Sequence, residues 1–270
     1  ITLYPMLYVI FASLSDSSML VAAKGSGGIL WHPVGLSLQA YKKVLDYPLI
    51  WQGYLNTLFY VVIGVLINVL VTLMSAYYLT KKGLMVQSII SKLIVFTMFF
   101  NGGLVPTYLT IKNLGMLDSR WAIILPVALN TYNLMIMRTA MYGIPDSICE
   151  SAEIDGANDI IVLFRIMVPV AMPTVAVMIL YYGVGHWNSW FSAQIYLQDT
   201  NKWPVQLILR KLLVENGTDS LTGGTSSDAP QIGETIKYAI VVVSVLPILA
   251  VYPFLQKYFV KGVMIGAVKG

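Results

Sequence analysis

Charged residues are scarce along this chain, and their scarcity excludes a water-soluble domain. Asp, Glu, Lys and Arg make up 11% of the 270 residues, 57% of the residues are hydrophobic, and the mean hydropathy is +0.72. About a quarter of the residues are charged in an average soluble domain. Lipid must therefore replace water over most of the exterior, and residues 1–270 are predicted to form a single membrane domain.

The sequence also lacks the residues that enzymes and metal sites need. Cys149 is the single cysteine, and His32 and His186 are the two histidines, so neither a disulfide nor a metal motif is expected. Neither a G-x-x-x-x-G-K-[ST] motif nor a Ser/His/Asp constellation occurs, so we expect no catalytic or cofactor-binding residues. The basic residues are scattered among apolar runs, which argues against a nucleic-acid partner.

Acidic residues are missing from the apolar runs as well. Between Asp46 and Glu215, the only acids outside one charged loop are Asp118 and Asp199, both at predicted span ends. Carriers driven by proton or sodium gradients usually need ionisable groups or broken helices near mid-membrane. Energy for any transport is therefore expected to come from an external source.

Long charge-free runs are present instead, and each is predicted to be a transmembrane helix. A helix needs ~20 apolar residues to cross ~30 Å of hydrocarbon. The runs are Ile1 to Leu14, Tyr47 to Thr80, Leu93 to Ile111, Trp121 to Met137, Ile166 to Gln198 and Tyr238 to Gln256. The absence of a barrel-type alternation favours an all-α, polytopic membrane protein of about six transmembrane helices. The first run is interpreted as the end of a span whose N-terminus is truncated.

The segments between the runs differ in composition. Residues 187–237 form the largest predicted excursion from the membrane; within it Trp203 to Val214 is amphipathic, and Glu215 to Gly233 is rich in Gly, Ser, Thr and Asp, typical of a mobile surface loop. Another amphipathic piece is predicted around Leu38 to Leu45. Lys92, Arg120 and Arg138 flank apolar runs and are expected to reach the membrane interfaces.

The most informative segment runs from Ile144 to Pro173 and reads IPDSICESAEIDGANDIIVLFRIMVPVAMP. Pro145 suits a helix entry, and Ser147 and Glu150 have the spacing of a capping box. Gly156 is expected to adopt the positive φ that ends this helix.

A second short helix is predicted directly after this turn. Asn158 or Asp159 would cap it, it would run from Ile160 to Val168, and Pro169 with Pro173 would mark re-entry into the membrane. A helix–Gly–helix element on the membrane surface suits docking against a partner, and Cys149 is interpreted as a small buried apolar residue within it.

This pattern resembles the EAA loop of ABC importer permeases. In that family a Glu-x-Ala run is followed by Asp-Gly-Ala, an apolar stretch and a proline. The matching residues are Glu150, Ala152, Asp155, Gly156, Ala157, Phe164, Ile166, Pro169 and Pro173. Ser151 replaces the middle Ala, and Val168 stands where Leu is usual. The resemblance implies that residues 141–168 form a cytoplasmic coupling loop that sits in a cleft of an ATPase subunit.

Other parts of the chain extend the resemblance. Asn56-Thr57 opens a span and Ala76-Tyr77 closes it, as in carbohydrate-uptake permeases, and the C-terminal YPFLQKYFVKGVMIGAVKG is similar to the tail of the maltose-type second permease. Asn101-Gly102-Gly103 through Leu125-Pro126, with Met137-Arg138-Thr139, resemble the branch that handles complex oligosaccharides in Gram-positive bacteria. The resemblance also implies that the tail contacts the ATPase subunits through Lys261, Gly262, Gly266 and Lys269.

The function implied by the resemblance is that of a permease subunit, not an enzyme. Such a subunit lies in the plasma membrane with its coupling loop and C-terminus in the cytoplasm. Its expected partners are a homologous permease, two ATPase subunits that bind ATP and Mg, an extracellular sugar-binding lipoprotein, and a carbohydrate substrate. The residues alone also leave open a stand-alone secondary carrier and a membrane-embedded enzyme or scaffold.

Some single residues have two interpretations. Glu150 either pairs with a basic residue of the ATPase or caps its own helix, and the two roles are compatible. Asn130 and Asn133, three residues apart on one predicted helix face, either line a sugar pathway or bond to neighbouring helices, which is the commoner use. Trp187 and Trp190 either stack on sugar rings or anchor the chain at the membrane interface, and the anchor is favoured.

Overall fold

The structure is a computed structural model that describes residues 3–25, 30–81, 86–214, 235–250 and 253. Within these ranges every regular element is helical, and one isolated bridge joins Ser15 and Leu36. The all-α prediction is therefore confirmed for the described residues. The predicted surface loop from Glu215 to Gly233 and the tail residues Lys261, Gly262, Gly266 and Lys269 lie outside them.

The helices follow one another in chain order from α1 to α15. They are α1 (Leu3–Ser13), α2 (Ser17–Gly25), α3 (Gln39–Leu45), α4 (Pro48–Thr80), α5 (Gln87–Phe99), α6 (Leu104–Asn113), α7 (Trp121–Ile124), α8 (Thr131–Tyr142), α9 (Asp146–Ile154), α10 (Asp159–Ile161), α11 (Val168–Val170), α12 (Met172–Trp187), α13 (Trp190–Tyr196), α14 (Val205–Val214) and α15 (Thr235–Ala250). Short 3₁₀ turns occupy Leu125–Val127 and Thr200–Lys202, and a π-helical segment, Val162–Met167, joins α10 to α11.

The chain divides into two compact units. The first comprises residues 1–58 and 188–251, and the second comprises residues 59–187 and 252–270. In the first unit, the predicted amphipathic pieces appear as α3 and α14. The α14 helix buries Val205, Leu207, Ile208, Leu209 and Leu212, which explains its apolar face.

Membrane-crossing length is confirmed for α4, which has 33 residues and a mean hydropathy of 2.4 over its most apolar window. At 1.5 Å per residue it is about 50 Å long, more than the hydrocarbon thickness requires. Among the described residues, two bent pairs are also apolar enough to form broken spans: α5 with α6, bent by 116°, and residues 159–170 with α12, bent by 88°. The α1 and α15 helices are shorter and apolar.

Three of the predicted spans are interrupted rather than continuous. The run from Ile166 to Gln198 is bent by 88° where α12 begins at Met172. The run from Leu93 to Ile111 breaks between α5 and α6, where Gly103 has a φ of +87° and its N–H donates to Asn101 Oδ1 over 2.9 Å. The run from Trp121 to Met137 breaks at a 3₁₀ turn that contains Pro126. A charge-free run reports compatibility with lipid, whereas Gly, Pro and Asn at these points decide where the helix ends.

The core of the second unit joins the loop 141–168 to three long helices. Its buried residues include Leu73 and Leu79 of α4, Met137 and Met141 of α8, Val162 and Met167 of the loop, and Val175, Met178 and Tyr182 of α12. Within a membrane such contacts stabilise through close packing rather than through exclusion of water. The loop is therefore packed against the ends of the helices and does not hang from them.

Candidate functional site

The first helix of the loop begins at Pro145, not at Ser147. Pro145 occupies the N-cap of α9 with extended backbone (φ −58°, ψ 132°), and Asp146 lies in the first turn, where its charge complements the helix dipole. The predicted capping box of Ser147 and Glu150 is therefore wrong: within the described residues the N-cap makes no side-chain cap hydrogen bond. The proline starts the helix two residues earlier, which leaves Glu150 exposed in the second turn.

The end of α9 is a Schellman turn built on Gly156. Its φ is +84°, which confirms the predicted left-handed conformation. The Gly156 N–H donates to the Glu153 carbonyl over 3.0 Å, and the Ala157 N–H donates to the Ala152 carbonyl over 2.9 Å. These two bonds define the motif and fix the direction in which the chain leaves α9.

Asn158, rather than Asp159, caps the second helix of the loop. Its Oδ1 accepts a hydrogen bond from the Ile161 N–H over 2.9 Å. The predicted helix is present, although most of it is the π-helical segment Val162–Met167. Because Asn158 provides the cap, the Asp159 carboxylate contacts another element.

That contact ties the loop to the end of α4. Tyr77 Oη donates to Asp159 Oδ1 over 2.8 Å, Lys81 forms an ion pair with the same carboxylate, and Lys81 Nζ lies 3.8 Å from Glu153. The hydrogen bond to Asp159 raises the pKa of Lys81 above its usual value. Sequence reasoning missed these partners because 78 residues separate Lys81 from Asp159.

The loop has a packed face and an exposed face. Ala152 and Ala157 of the EAA-like pattern pack against the core, together with the half-buried Cys149. Burial and the neighbouring acids raise the pKa of the Cys149 thiol. Ile154 and Ile160 are 86% and 67% exposed. The other exposed side chains of the loop include Glu150, Asp155, Phe164 and Arg165, and Pro169 directly after the loop is exposed as well.

A cavity of about 270 Å³ lies beside α9. Its polar lining includes Tyr77, Lys81, Asp146, Glu150 and Glu153. Three carboxylates face one ammonium group there, so the cavity suits a cationic side chain of a partner protein.

The structure separates the roles of Asn130 and Asn133. Asn130 precedes α8 and caps it, since its Oδ1 accepts from the Asn133 N–H over 3.0 Å. Its own N–H donates to Tyr182 Oη over 3.3 Å. The prediction that the two amides share one helix face is wrong for Asn130, because its backbone is extended rather than helical. Asn133 is buried within α8.

A buried polar network that the sequence did not reveal links α4 to α12. His186 Nε2 donates to Asn68 Oδ1 over 2.7 Å, and Asn68 Nδ2 donates to the Val127 carbonyl. One turn along, Thr72 and Tyr182 share a hydrogen bond of 2.7 Å. A Cβ on Gly64 would lie 2.6 Å from the His186 Cε1 atom, so the glycine makes room for the imidazole. The isolated polar residues of the otherwise apolar α4 were the sequence feature that could have indicated this network.

In the first unit, Asn56 and Thr57 hold the segment before α14 against the start of α4. Asn56 Nδ2 donates to the carbonyls of Asn201 and Trp203 over 2.7 and 3.1 Å. The Val205 N–H donates to Thr57 Oγ1 over 2.9 Å. These two residues, singled out by the resemblance, therefore fix the orientation of α14.

The two tryptophans occupy helix ends. Trp187 ends α12, and Trp190 begins α13. The guanidinium carbon of Arg210 lies 3.7 Å from the centre of the Trp190 ring, a cation–π contact that occupies one face of the ring. The anchor role and the sugar-stacking role of these residues stay predictions.

Comparison with known proteins agrees with the resemblance. Residues 83–265 match the model of the family described as "Binding-protein-dependent transport system inner membrane component". The chain is 39% identical to the Bacillus subtilis "Polygalacturonan/rhamnogalacturonan transport system permease protein YtcP", over 100% of this chain and 93% of the relative. It is 40% identical to Protein LplC of the same organism, over 100% of this chain and 90% of the relative.

A solved structure has the same fold. It is the "Crystal structure of a bacterial ABC transporter involved in the import of the acidic polysaccharide alginate". The TM-score is 0.84 at 33% identity, and the match covers 96% of this chain and 91% of the other.

Proposed function

The chain belongs to the family of binding-protein-dependent transport system inner membrane components, and on that premise we propose that it is the permease subunit of an ABC importer for oligosaccharides. It is a transport component and not an enzyme, with about six membrane segments. The mechanism that we propose is alternating access, driven by ATP hydrolysis on separate subunits and transmitted through the loop 141–168.

The observation that carries this proposal is the two-faced geometry of the loop. One face, with Ala152 and Ala157, is packed into a core shared by α4, α8 and α12. The other face exposes Ile154, Ile160 and Glu150. A partner bound to the exposed face would shift these three helices when it moves, because closely packed elements move together.

We propose that the partner on this face is an ATPase subunit on the cytoplasmic side. Exposed isoleucines would fill an apolar cleft, and Glu150 would pair with a basic residue beside the acidic cavity. The tail residues Lys261, Gly262, Gly266 and Lys269 would contact the ATPase dimer. The full assembly then contains a second permease, two ATPases that bind ATP and Mg, and an extracellular sugar-binding lipoprotein that meets the segment 187–237.

The substrate class that we propose is oligosaccharide. The support comes from relatives named for polygalacturonan and rhamnogalacturonan transport and from the alginate importer. Uptake by cells that carry or lack the chain, measured with labelled fragments of polygalacturonan, alginate and a neutral glucan, tests this class. If deletion of the chain reduced the uptake of none of these fragments, the assignment would be contradicted.

The assembly is tested by affinity purification of the chain from its native membrane in mild detergent, followed by mass spectrometry. We expect a second permease and an ATPase to be recovered. Recovery of the chain alone, under conditions that preserve known transporter complexes, would favour a stand-alone carrier.

The orientation is tested with single cysteines in a Cys149→Ala background. Ile154→Cys on the exposed loop face should react with a membrane-impermeant maleimide in inside-out vesicles only. Thr200→Cys, exposed in the segment 187–237, serves as the matched control and should react in right-side-out vesicles only. Equal labelling of both positions from one side would contradict the proposed topology.

A further inference from the structure

A second cavity lies where α4 ends and α5 begins, and it shares Thr80, Lys81 and Tyr142 with the lining of the first. Its volume is about 530 Å³. It is lined by Leu79, Thr80, Lys81, Gln87, Ser88, Ser91, Lys92, Arg138 and Tyr142. Apart from Leu79, every one of these side chains carries a polar or charged group, and no acidic residue is among them.

The cavity carries uncompensated positive charge. Lys81 is neutralised by its ion pair with Asp159. Arg138 Nε donates to the Leu79 carbonyl over 3.3 Å, which is a neutral acceptor, and Lys92 has no acidic partner among the described residues. Two cations therefore face this space without a counter-charge from the described part of the chain.

The first turn of α5 adds hydrogen-bond donors to these charges. Gln87 and Ser88 begin the helix, and its N-cap, Val86, makes no side-chain cap hydrogen bond within the described residues. The free N–H groups of a helix start favour an anion. Ser91 Oγ is buried and, among the described atoms, has no hydrogen-bond partner. Buried hydroxyl groups are normally bonded, so this one indicates a ligand atom that completes the site.

An apolar surface adjoins the basic cavity on the same helix. Ile89, Leu93 and Phe96 of α5 are exposed and lie next to Ser88, Ser91 and Lys92 along the helix. In a membrane protein such a surface contacts acyl chains. The occupant that fits both parts has an anionic head and an apolar tail.

We propose that this cavity binds the phosphate headgroup of an anionic phospholipid, with its acyl chains along α5. Basic pockets between transmembrane helices on the cytoplasmic side recognise such headgroups. The site rests on the proposed orientation, which puts this end of α4 on the cytoplasmic side, but it does not depend on the transported substrate or on the ATPase partner.

The test is native mass spectrometry of the full chain, purified with whatever partners accompany it and exchanged into detergent that contains equal amounts of phosphatidylglycerol and phosphatidylcholine. We expect selective retention of phosphatidylglycerol. Lys92→Gln should weaken this retention by about fivefold, the effect of one basic residue near an anionic headgroup. Lys112→Gln, an exposed lysine on α6 outside the cavity, is the matched control and should retain the lipid.

Ser91→Ala provides a second variant that should fold normally. Removing a buried hydroxyl that has no partner among the described atoms should leave the melting temperature unchanged in phosphatidylcholine alone, yet reduce the stabilisation that added phosphatidylglycerol confers. Equal retention of both lipids, or unchanged retention in both Lys92→Gln and Ser91→Ala, would overturn the proposal. Protection by inorganic phosphate as strong as by phosphatidylglycerol would overturn the lipid assignment in favour of a free phosphate.

Discussion

Substitutions at Gly156 test the coupling-loop geometry most directly. Gly156 has a φ of +84°, and a Cβ added there would meet no described atom within 4 Å. Steric crowding therefore contributes nothing to the effect of Gly156→Ala, which comes entirely from the strain of a left-handed backbone conformation. For an L-residue the left-handed conformation costs roughly 1–2 kcal/mol. This corresponds to a factor of about 5–30 in the equilibrium between the native turn and any alternative.

The same backbone argument ranks three substitutions. Asn tolerates the left-handed region better than Ala, so Gly156→Asn should retain more uptake than Gly156→Ala. Pro fixes φ near −65° and has no N–H, so Gly156→Pro is incompatible with the turn and also removes the bond to the Glu153 carbonyl. We expect uptake to fall in the order Gly, Asn, Ala, Pro, with none remaining for Pro.

The assay is ATP-dependent uptake of labelled oligosaccharide, normalised to the amount of chain in the membrane by immunoblot. Gly143→Ala is the matched control, because Gly143 also flanks α9 but has a φ of −76° that any residue adopts. It should transport normally. Full uptake by Gly156→Pro at normal membrane levels would refute the coupling role of the loop.

Three further substitutions test other contacts. In Gly64→Ala the added methyl group should clash with the His186 ring and lower the stability of the detergent-solubilised protein by about 1–3 kcal/mol, measured by thermal melting. The control is Gly183→Ala, whose added Cβ would meet only Val65 Cγ2 at 3.9 Å. Its melting temperature should hardly change. Equal melting temperatures for the two variants would contradict the close approach. Thr57→Val should leave the buried Val205 N–H without its acceptor and lower the free energy of unfolding, measured by chemical denaturation, by about 1–3 kcal/mol. Thr57→Ser keeps the hydroxyl and should retain the bond. An unchanged free energy of unfolding in Thr57→Val would show that other contacts hold α14. Asp159→Asn should hardly change the melting temperature, because the ion pair with Lys81 is largely exposed. It should reduce uptake per molecule of chain, because it weakens the attachment of the loop to α4. Unchanged uptake would show that the ion pair has no part in coupling.

Features set by local chemistry were predicted well from the sequence. The turn at Gly156 depends on residues within a few positions of one another, so their spacing alone indicated it. For the second helix the spacing left Asn158 and Asp159 both open as caps, and the structure shows that Asn158 is the cap. The α4 helix, Pro48–Thr80, was predicted because the charge-free run from Tyr47 to Thr80 is stable in lipid only as a helix. The capping box failed because Pro145, which was assigned to the helix entry, itself occupies the N-cap.

Where apolar runs bend was not evident from their composition. Hydropathy averages over about twenty residues, so it does not register the Gly103 or Pro126 interruptions that end helices within single turns. For the same reason Asn130 was expected on a helix face, although it is the cap that starts α8.

Composition and the order of neighbouring residues were enough to predict a membrane protein, helical segments, and a helix–Gly–helix loop at residues 141–168. Which residues of that loop are packed and which are exposed became clear from the folded chain alone. The same holds for two contacts between distant residues: Asp159 pairs with Lys81, 78 residues away, and His186 bonds to Asn68, 118 residues away. A buried or charged group forms a hydrogen bond with whichever partner the packing brings within about 3 Å, and the spacing of residues along the chain does not indicate which groups come that close.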